Sequence, residues 1–347
     1  MSQNKSNEEV TVLNGLLDKL VLERAFEQAR VIAKRLAELC PKDPAALYKY
    51  GSVLARLGEP EAAAECLAKS LDLGGDRFII SAEMCLVCMI RGDLEEAIAW
   101  CRRGLELKPA DPATHRRLAD LLAHSGEPDK AVNVLEVLLR MPSLSPGEEK
   151  AARAELGRLY MTMGRFDEAL SNFRGAAALD NNDTALWTNI GHCLSRKGEM
   201  RSALDIFRLA ADLLPNPQNL YNLGDALLGV GDPGKALGPL LEALRWDPDH
   251  VLAHYDLGRA YLEAGSFAEA YSEFDLCLKR RGEAAAVFWN DLPTMRRLPP
   301  LFYFLGRAQE GLKSAAAKDS LNAFLLIKEK SEADPLVEDA RRRLKSL

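Results

Sequence analysis

The sequence predicts an all-α protein, a solenoid of tandem helix-turn-helix units, and three registered columns of residues carry that prediction. Glycines stand at Gly58, Gly92, Gly126, Gly164, Gly198, Gly231 and Gly265, separated by 34, 34, 38, 34, 33 and 34 residues. Five residues after each comes an alanine: Ala63, Ala97, Ala131, Ala169, Ala203, Ala236 and Ala270. Seven residues before each comes a small residue: Gly51, Cys85, Ala119, Gly157, Gly191, Gly224 and Gly258. A fixed period of this length marks a repeat array, in which each unit buries its apolar face against its neighbours.

Within one period the residues spell out two helices. Two stretches of about 12–14 residues, too long for strands, are apolar at i, i+3, i+4 and i+7. The glycine closes the first of them, because a left-handed residue just past a helix end costs glycine nothing sterically. Helix starters follow. Asp93 and Glu96 read as a capping box, and Pro60, Pro128 and Pro233 sit at the first helical position. The small residue of the first helix and the alanine of the second let the two backbones approach closely. Leu54, Tyr160 and Tyr261 fill space on first helices; Phe173, Phe207 and Phe274 do so on second helices. Pro41, Pro109, Pro215 and Pro248 then break the second helix before the next unit.

From the N-terminus, residues 1–9 are polar and expected to be a disordered tail. A degenerate repeat follows at about 10–43, with Arg24 in the glycine position and Ala29 in the alanine position. Repeats continue at about 44–77, 78–111, 112–145, 150–183, 184–216, 217–250 and 251–284. Where the glycine spacing widens to 38, Ser145, Pro146 and Glu148 read as N-cap, first residue and capping-box partner of the next helix. An insert at 282–300 carries Phe288, Trp289, Met295, Arg296 and Arg297, and the first three of these are too apolar for a free loop. It either patches the junction between its neighbours or belongs to a partner site. An irregular last unit at 299–332 opens on Phe302, Tyr303, Phe304, Leu305 and Gly306, and its second helix is hard to place around 313–317. Residues 333–347 read as a capping helix whose charged face, Glu338, Asp339, Arg341, Arg342 and Arg343, closes the array to further stacking. The expected architecture is about eight repeats and this closing helix.

Composition narrows the function. Of the 347 residues 48% are hydrophobic and 28% charged, which is material for a folded chain. The net charge of -6 argues against a nucleic-acid partner, whose affinity comes from phosphate neutralisation. No stretch approaches the ~18–20 apolar residues of a bilayer span, and the N-terminus lacks a secretory apolar run. A cytoplasmic location and no membrane insertion are therefore expected. Seven cysteines without framework spacing fit reduced thiols. Neither a metalloprotease H-E-x-x-H, a hydrolase G-x-S-x-G nor a phosphate-binding glycine loop occurs, and the repeats claim every long segment. A non-enzymatic protein without cofactors is the expectation.

The columns resemble the tetratricopeptide repeat (TPR) family. The family's consensus roles fall, at its spacing, on Trp187, Ile190, Gly191, Leu194, Gly198, Ala203, Phe207, Ala210 and Pro215. The resemblance covers roughly residues 10–330. It implies a right-handed superhelix whose first helices line a concave groove, and a scaffold or adaptor that holds a peptide or protein segment there. Groove candidates follow from the register. Asn189 and Asn222 stand two residues before the first-helix glycine, and an amide that donates and accepts at once can grip a peptide backbone. That column continues as Glu155 before them and Asp256 after. One residue after the small position stand Arg158, His192, Asp225, Arg259 and Arg307, expected to face the groove near Tyr221, Tyr255 and Tyr303. Interfaces favour such mixtures of Arg and Tyr. The family's carboxylate clamp for chaperone tails is broken here, since Ser52 follows Gly51 and Asp225 follows Gly224.

Cys85 and Cys88 form a C-x-x-C, and with Cys101 they raise an alternative function as a regulatory or metal-binding thiol site. The register favours core packing: Cys85 is the small residue of its first helix, Cys88 lies one turn on, and Cys101 takes the large-residue position opposite. A three-thiolate site would want a fourth ligand, and no histidine falls nearby in the register.

Overall fold

The computed structural model describes residues 2–142, 144–288, 300–328 and 334–347, and among them the chain forms nineteen α-helices and no strand. It divides into two compact units, residues 1–179 and 180–347. In the first unit α1 (Ser2–Leu22) pairs with α2 (Phe26–Leu39), and α3 (Pro44–Arg56) with α4 (Pro60–Asp72). There follow α5 (Arg77–Arg91) with α6 (Leu94–Leu107), α7 (Pro112–His124) with α8 (Pro128–Leu139), and α9 (Pro146–Thr162) with α10 (Phe166–Leu179). The second unit pairs α11 (Thr184–Arg196) with α12 (Met200–Leu213), and α13 (Pro217–Gly229) with α14 (Pro233–Trp246). It continues with α15 (Val251–Glu263) and α16 (Phe267–Phe288), then α17 (Leu301–Gly311) and α18 (Ala316–Lys328), and ends on α19 (Pro335–Ser346). Nine pairs result where the spacing suggests about eight, because the degenerate units at both ends are full helix pairs. None of the described helices is long and apolar enough to cross a membrane.

One turn geometry joins the partners of every pair. The seven column glycines lie in the left-handed region, from Gly164 at φ 75° to Gly126, Gly198 and Gly231 at φ 83°. The next residue donates its N–H back across the turn to close the helix, as Asp93 does to the Cys88 carbonyl and Ser266 to that of Tyr261, both at 2.9 Å. The two end repeats keep the geometry without the glycine. Arg24 and Lys313 both stand at φ 57°, and Ala25 and Ser314 donate to the Leu20 and Gln309 carbonyls at 2.9 Å. A side chain in this region is strained by Cβ crowding, so Arg24→Gly and Lys313→Gly should each stabilise the fold by about 1 kcal/mol. Urea unfolding midpoints of the two variants check this; a lower midpoint in either contradicts it.

Helix crossing follows from the small-residue column. A Cβ at Gly157, Gly191 or Gly258 would stand 2.7, 2.6 and 2.6 Å from the rings of Phe173, Phe207 and Phe274. At Gly224 it would lie 2.5 Å from Leu240. The ring or branched chain thus occupies the space that glycine leaves, and the alanine column, from Ala29 to Ala270, is fully buried beside it. Cys85 and Cys101 are that same pair in their own repeat, sulfur to sulfur at 3.1 Å.

The departures from regularity have local causes. Helix α1 begins at Ser2, where a disordered tail at 1–9 is expected from composition; Glu9 there pairs with Arg35 of α2 at 3.2 Å. The wide glycine spacing lengthens α9 to 17 residues, and Ser145 and Glu148 form the expected capping box at its start. The irregular second helix near 313–317 is one residue short: Ala317 is the buried alanine, four positions after Lys313 instead of five. Helix α19 packs against α18, and its charged face is not all outward. Asp339 accepts from the Tyr303 hydroxyl at 2.6 Å, and Arg343 reaches Glu310 at 2.7 Å. Although burial works against it, hydrogen bonds from Tyr303, Arg343 and Arg342 hold the Asp339 carboxyl down at about 2. Of the aromatic insert at 282–300, Trp289, Met295, Arg296 and Arg297 lie outside the described residues, and α16 runs through Phe288.

Candidate functional site

The residue two before each small position decides whether the first-helix face is closed or open. In the first unit this column is spent on linking consecutive first helices. Lys49 of α3 donates to Asn14 and Asp18 of α1 at 2.9 and 2.8 Å. Glu83 of α5 accepts from Ser52 and Arg56 of α3 at 2.6 and 2.7 Å. Arg117 of α7 donates to the Ala82 carbonyl at 3.2 Å, and Glu155 of α9 accepts from Arg116 of α7 at 2.8 Å.

In the second unit the same column reads Asn189, Asn222, Asp256 and Phe304, and of these Phe304 packs on Tyr255 of the preceding first helix at 5.9 Å. Asp256, nearly fully buried, turns back to Arg259 on its own helix at 2.7 Å. The Arg259 guanidinium lies 5.8 Å from the Tyr255 ring and 5.6 Å from that of Phe304. Burial opposes its charge, but Asp256, Tyr255 and Asp225 outweigh burial and raise its pKa. Asn222 is only 2% exposed. Its Oδ1 accepts from Gln218 at 2.9 Å, while its Nδ2 has no partner among the described residues. A buried donor left unpaired costs about 1–3 kcal/mol, so a native fold that keeps one invites the question of what fills the bond. Asn189 is half-buried, and Arg307 repeats the theme: it holds Glu263 at 2.9 Å while its Nε is buried without a partner.

The remaining sequence candidates divide. His192 is half-buried, its ring edge on Phe207 at 5.1 Å. Asp225 is half-buried within the field of Arg259. Arg158 lies in the first unit, its side chain 52% exposed and 3.9 Å from Glu155. Tyr221, Tyr255 and Tyr303 do not line a groove, contrary to expectation: they are 3%, 5% and 3% exposed. The following element covers each one. The Tyr221 ring meets His250 at 4.8 Å, Tyr255 meets Phe304 at 5.9 Å, and Tyr303 bonds Asp339 of α19. His250 is itself fixed, its Nδ1 accepting from the Ala253 N–H at 3.1 Å, and burial lowers its pKa and keeps that nitrogen free of a proton.

One buried polar residue carries structure that the register does not signal. Asn219 donates to the Leu214 carbonyl at 2.9 Å and accepts from Thr188 at 3.2 Å, tying α13 to α11 and to the end of α12.

The cysteines pack as core. Cys85, Cys88 and Cys101 are all buried. Burial and Glu96 push the Cys88 thiol up to about 12, and the Cys85 contact with burial raises Cys101 as well. No group of three His, Cys, Asp or Glu among the described residues is arranged to hold a metal, so the thiol-site alternative finds no support.

The first unit also holds a recess of about 750 Å³ on its first-helix face, between α7 and α9 with Met89 of α5 at its edge. Arg116, Arg117, Glu155 and Arg158 line it.

Comparison with known proteins places these repeats in context. Models of the tetratricopeptide repeat match residues 21–77, 154–216 and 221–286, and a second such model matches 89–141. The tetratricopeptide repeat-containing protein trd-1 of Caenorhabditis elegans is 24% identical over 55% of this chain and 24% of its own length. BBSome complex member BBS4 of Bos taurus is 24% identical over 67% of this chain and 41% of its length. TPR repeat-containing protein YpiA of Bacillus subtilis is 25% identical over 52% of this chain and 50% of its length. The chain thus spans half or less of these relatives. Among solved structures, the C-terminal part of a TPR repeat-containing protein from Cytophaga hutchinsonii superposes with a TM-score of 0.53 at 16% identity, covering 74% of this chain and 97% of that one. A tetratricopeptide repeat protein from Parabacteroides merdae gives 0.51 at 14% identity, covering 68% and 92%.

Proposed function

Since the chain belongs to the tetratricopeptide repeat family, we propose that it is a non-enzymatic scaffold that holds an extended segment of a partner protein along the first helices of residues 180–347. The observation that carries this reading is the unspent hydrogen-bonding capacity of that face. Asn222 keeps a buried Nδ2 with nothing to donate to, and Arg307 keeps a buried Nε. In the first unit the equivalent column is consumed by links between helices. Asn189, half-buried on α11, offers an amide that donates to a backbone carbonyl of an extended partner, and Asn222 in the same column joins it where the partner displaces the side chains that cover it. Arg259 and Arg307, held beside aromatic rings, would favour carboxylate or carbonyl groups on either side. The relation to BBS4, named as a complex member, is consistent with an assembly role.

Asn222→Ala separates binding from folding. Removing an unsatisfied buried donor should leave the melting temperature unchanged or raise it, with a gain of up to about 1 kcal/mol against the lost Gln218 bond. Affinity capture from the native cell with intact protein beside Asn189→Ala/Asn222→Ala then tests the site. A partner lost only from the double variant is the expected result. An unchanged set of captured proteins, from a variant that melts normally, sinks the amide-grip reading.

A further inference from the structure

We infer that the recess between α7 and α9 is a separate subsite for an acidic segment of a protein partner, taking an Asp or Glu side chain against Arg117 and Arg158. The inference rests on reading the chain as a protein-binding scaffold and adds a ligand class and a second location.

The recess exists because its floor is small. On α7 the residues that line it include Ala113, Ala119 and Ala123, which leave space beside Arg116, whose side chain crosses to Glu155 of α9 at 2.8 Å. About 750 Å³ is ample for one or two side chains of a peptide.

Its charges do not cancel. Three guanidiniums, those of Arg116, Arg117 and Arg158, face two carboxylates, those of Glu155 and Asp120. Glu155 is committed to Arg116 at 2.8 Å, and its contact with Arg158 stretches to 3.9 Å. Asp120 stands beside His124, Nδ1 to Oδ1 at 3.4 Å. Arg117 donates to the Ala82 carbonyl at 3.2 Å and pairs with no carboxylate among the described residues. Two exposed guanidiniums on opposite walls are left under-neutralised around one void. A carboxylate accepts from such forks in bidentate fashion, and a ligand carboxylate placed between them restores the balance.

The walls choose the rest of the ligand. Met89 and Leu159 give the recess an apolar side, which suits an apolar residue next to the acidic one. Nucleic acid fits poorly. None of the lining residues is a Phe, Tyr or Trp on which a base could stack, and the chain carries a net charge of -6.

Selection of random heptapeptides displayed on phage, against the full chain, tests the assignment. Wild type is expected to enrich heptamers containing Asp or Glu beside an apolar residue. A synthetic selected peptide should bind at least about tenfold more weakly to Arg117→Gln/Arg158→Gln, and not at all to Arg117→Glu/Arg158→Glu. Both positions are exposed, so the variants should remain folded, with melting lowered only slightly by loss of the Arg117 bond to the Ala82 carbonyl. The same peptide should bind Asn189→Ala/Asn222→Ala within about twofold of wild type. Enrichment without acidic residues, or acidic enrichment that survives both arginine variants, overturns the inference. So does displacement of the peptide by a single-stranded oligonucleotide at equal concentration, which would point to phosphate. If selected peptides depend on Asn189 and Asn222 alone, the acidic subsite fails while the scaffold reading stands. If no heptamer is enriched at all, both fail.

Discussion

Phe274→Ala is expected to lower the stability of the chain by about 3–5 kcal/mol, the largest effect of any single truncation in the second unit. The ring is fully buried and stacks on Phe304 at a centroid distance of 6.1 Å, with Tyr255 at 6.2 Å. It also fills the space over Gly258, where a Cβ would lie 2.6 Å from it. Glycine offers no side chain to relax into the void, so the cavity term adds to the lost transfer energy. The same ring belongs to a cluster that includes Val251, Leu262, Cys277, Leu301 and Leu305, from three successive first and second helices. Its loss therefore weakens the stacking of α17 on α16 as well as one helix pair. Urea unfolding monitored by circular dichroism gives the number; a loss below about 1 kcal/mol would mean that the neighbours collapse into the space.

The second large effect is the reverse operation. Gly191→Val should cost about 3 kcal/mol, because the new Cβ would meet the Phe207 ring at 2.6 Å and the branch adds further atoms. Phe207 is nearly fully buried, with His192 against its ring, so it has nowhere to swing. The pair is best judged by a double-mutant cycle. Phe207→Ala alone opens a cavity, and Gly191→Val then partly fills it, so the double variant should be more stable than the sum of the two changes by at least about 1 kcal/mol. Strict additivity would show that the glycine is not kept for the ring.

These two predictions rest on features that one-dimensional reading exposes well. The glycine turn, the small residue and the alanine recur because backbone geometry and helix approach admit few alternatives, so Gly58 to Gly265 and Ala63 to Ala270 announce the fold. The degenerate ends were harder. Arg24 was legible only by stepping back one period, and the last second helix is displaced because one residue is missing before Ala317. The candidate site was half legible. The asparagine column is a matter of register, but that Asn222 is buried with an idle Nδ2 depends on which neighbours fail to reach it. Tyr221, Tyr255 and Tyr303 occupy first-helix positions that look accessible in a single unit and become core once the next element covers them. The recess at α7 and α9 is a property of missing volume beside three alanines, and no residue type marks it.

The left-handed turns have one further consequence. The two that lack glycine, at Arg24 and Lys313, belong to α1–α2 and α17–α18. Among the nine turns, backbone strain is therefore confined to these two, while the seven glycine turns are free of it. Local opening is expected to be easier in α1–α2 and α17–α18 than in the pairs joined by glycine. The first helices of the glycine-joined pairs then keep their shape through excursions that loosen those two.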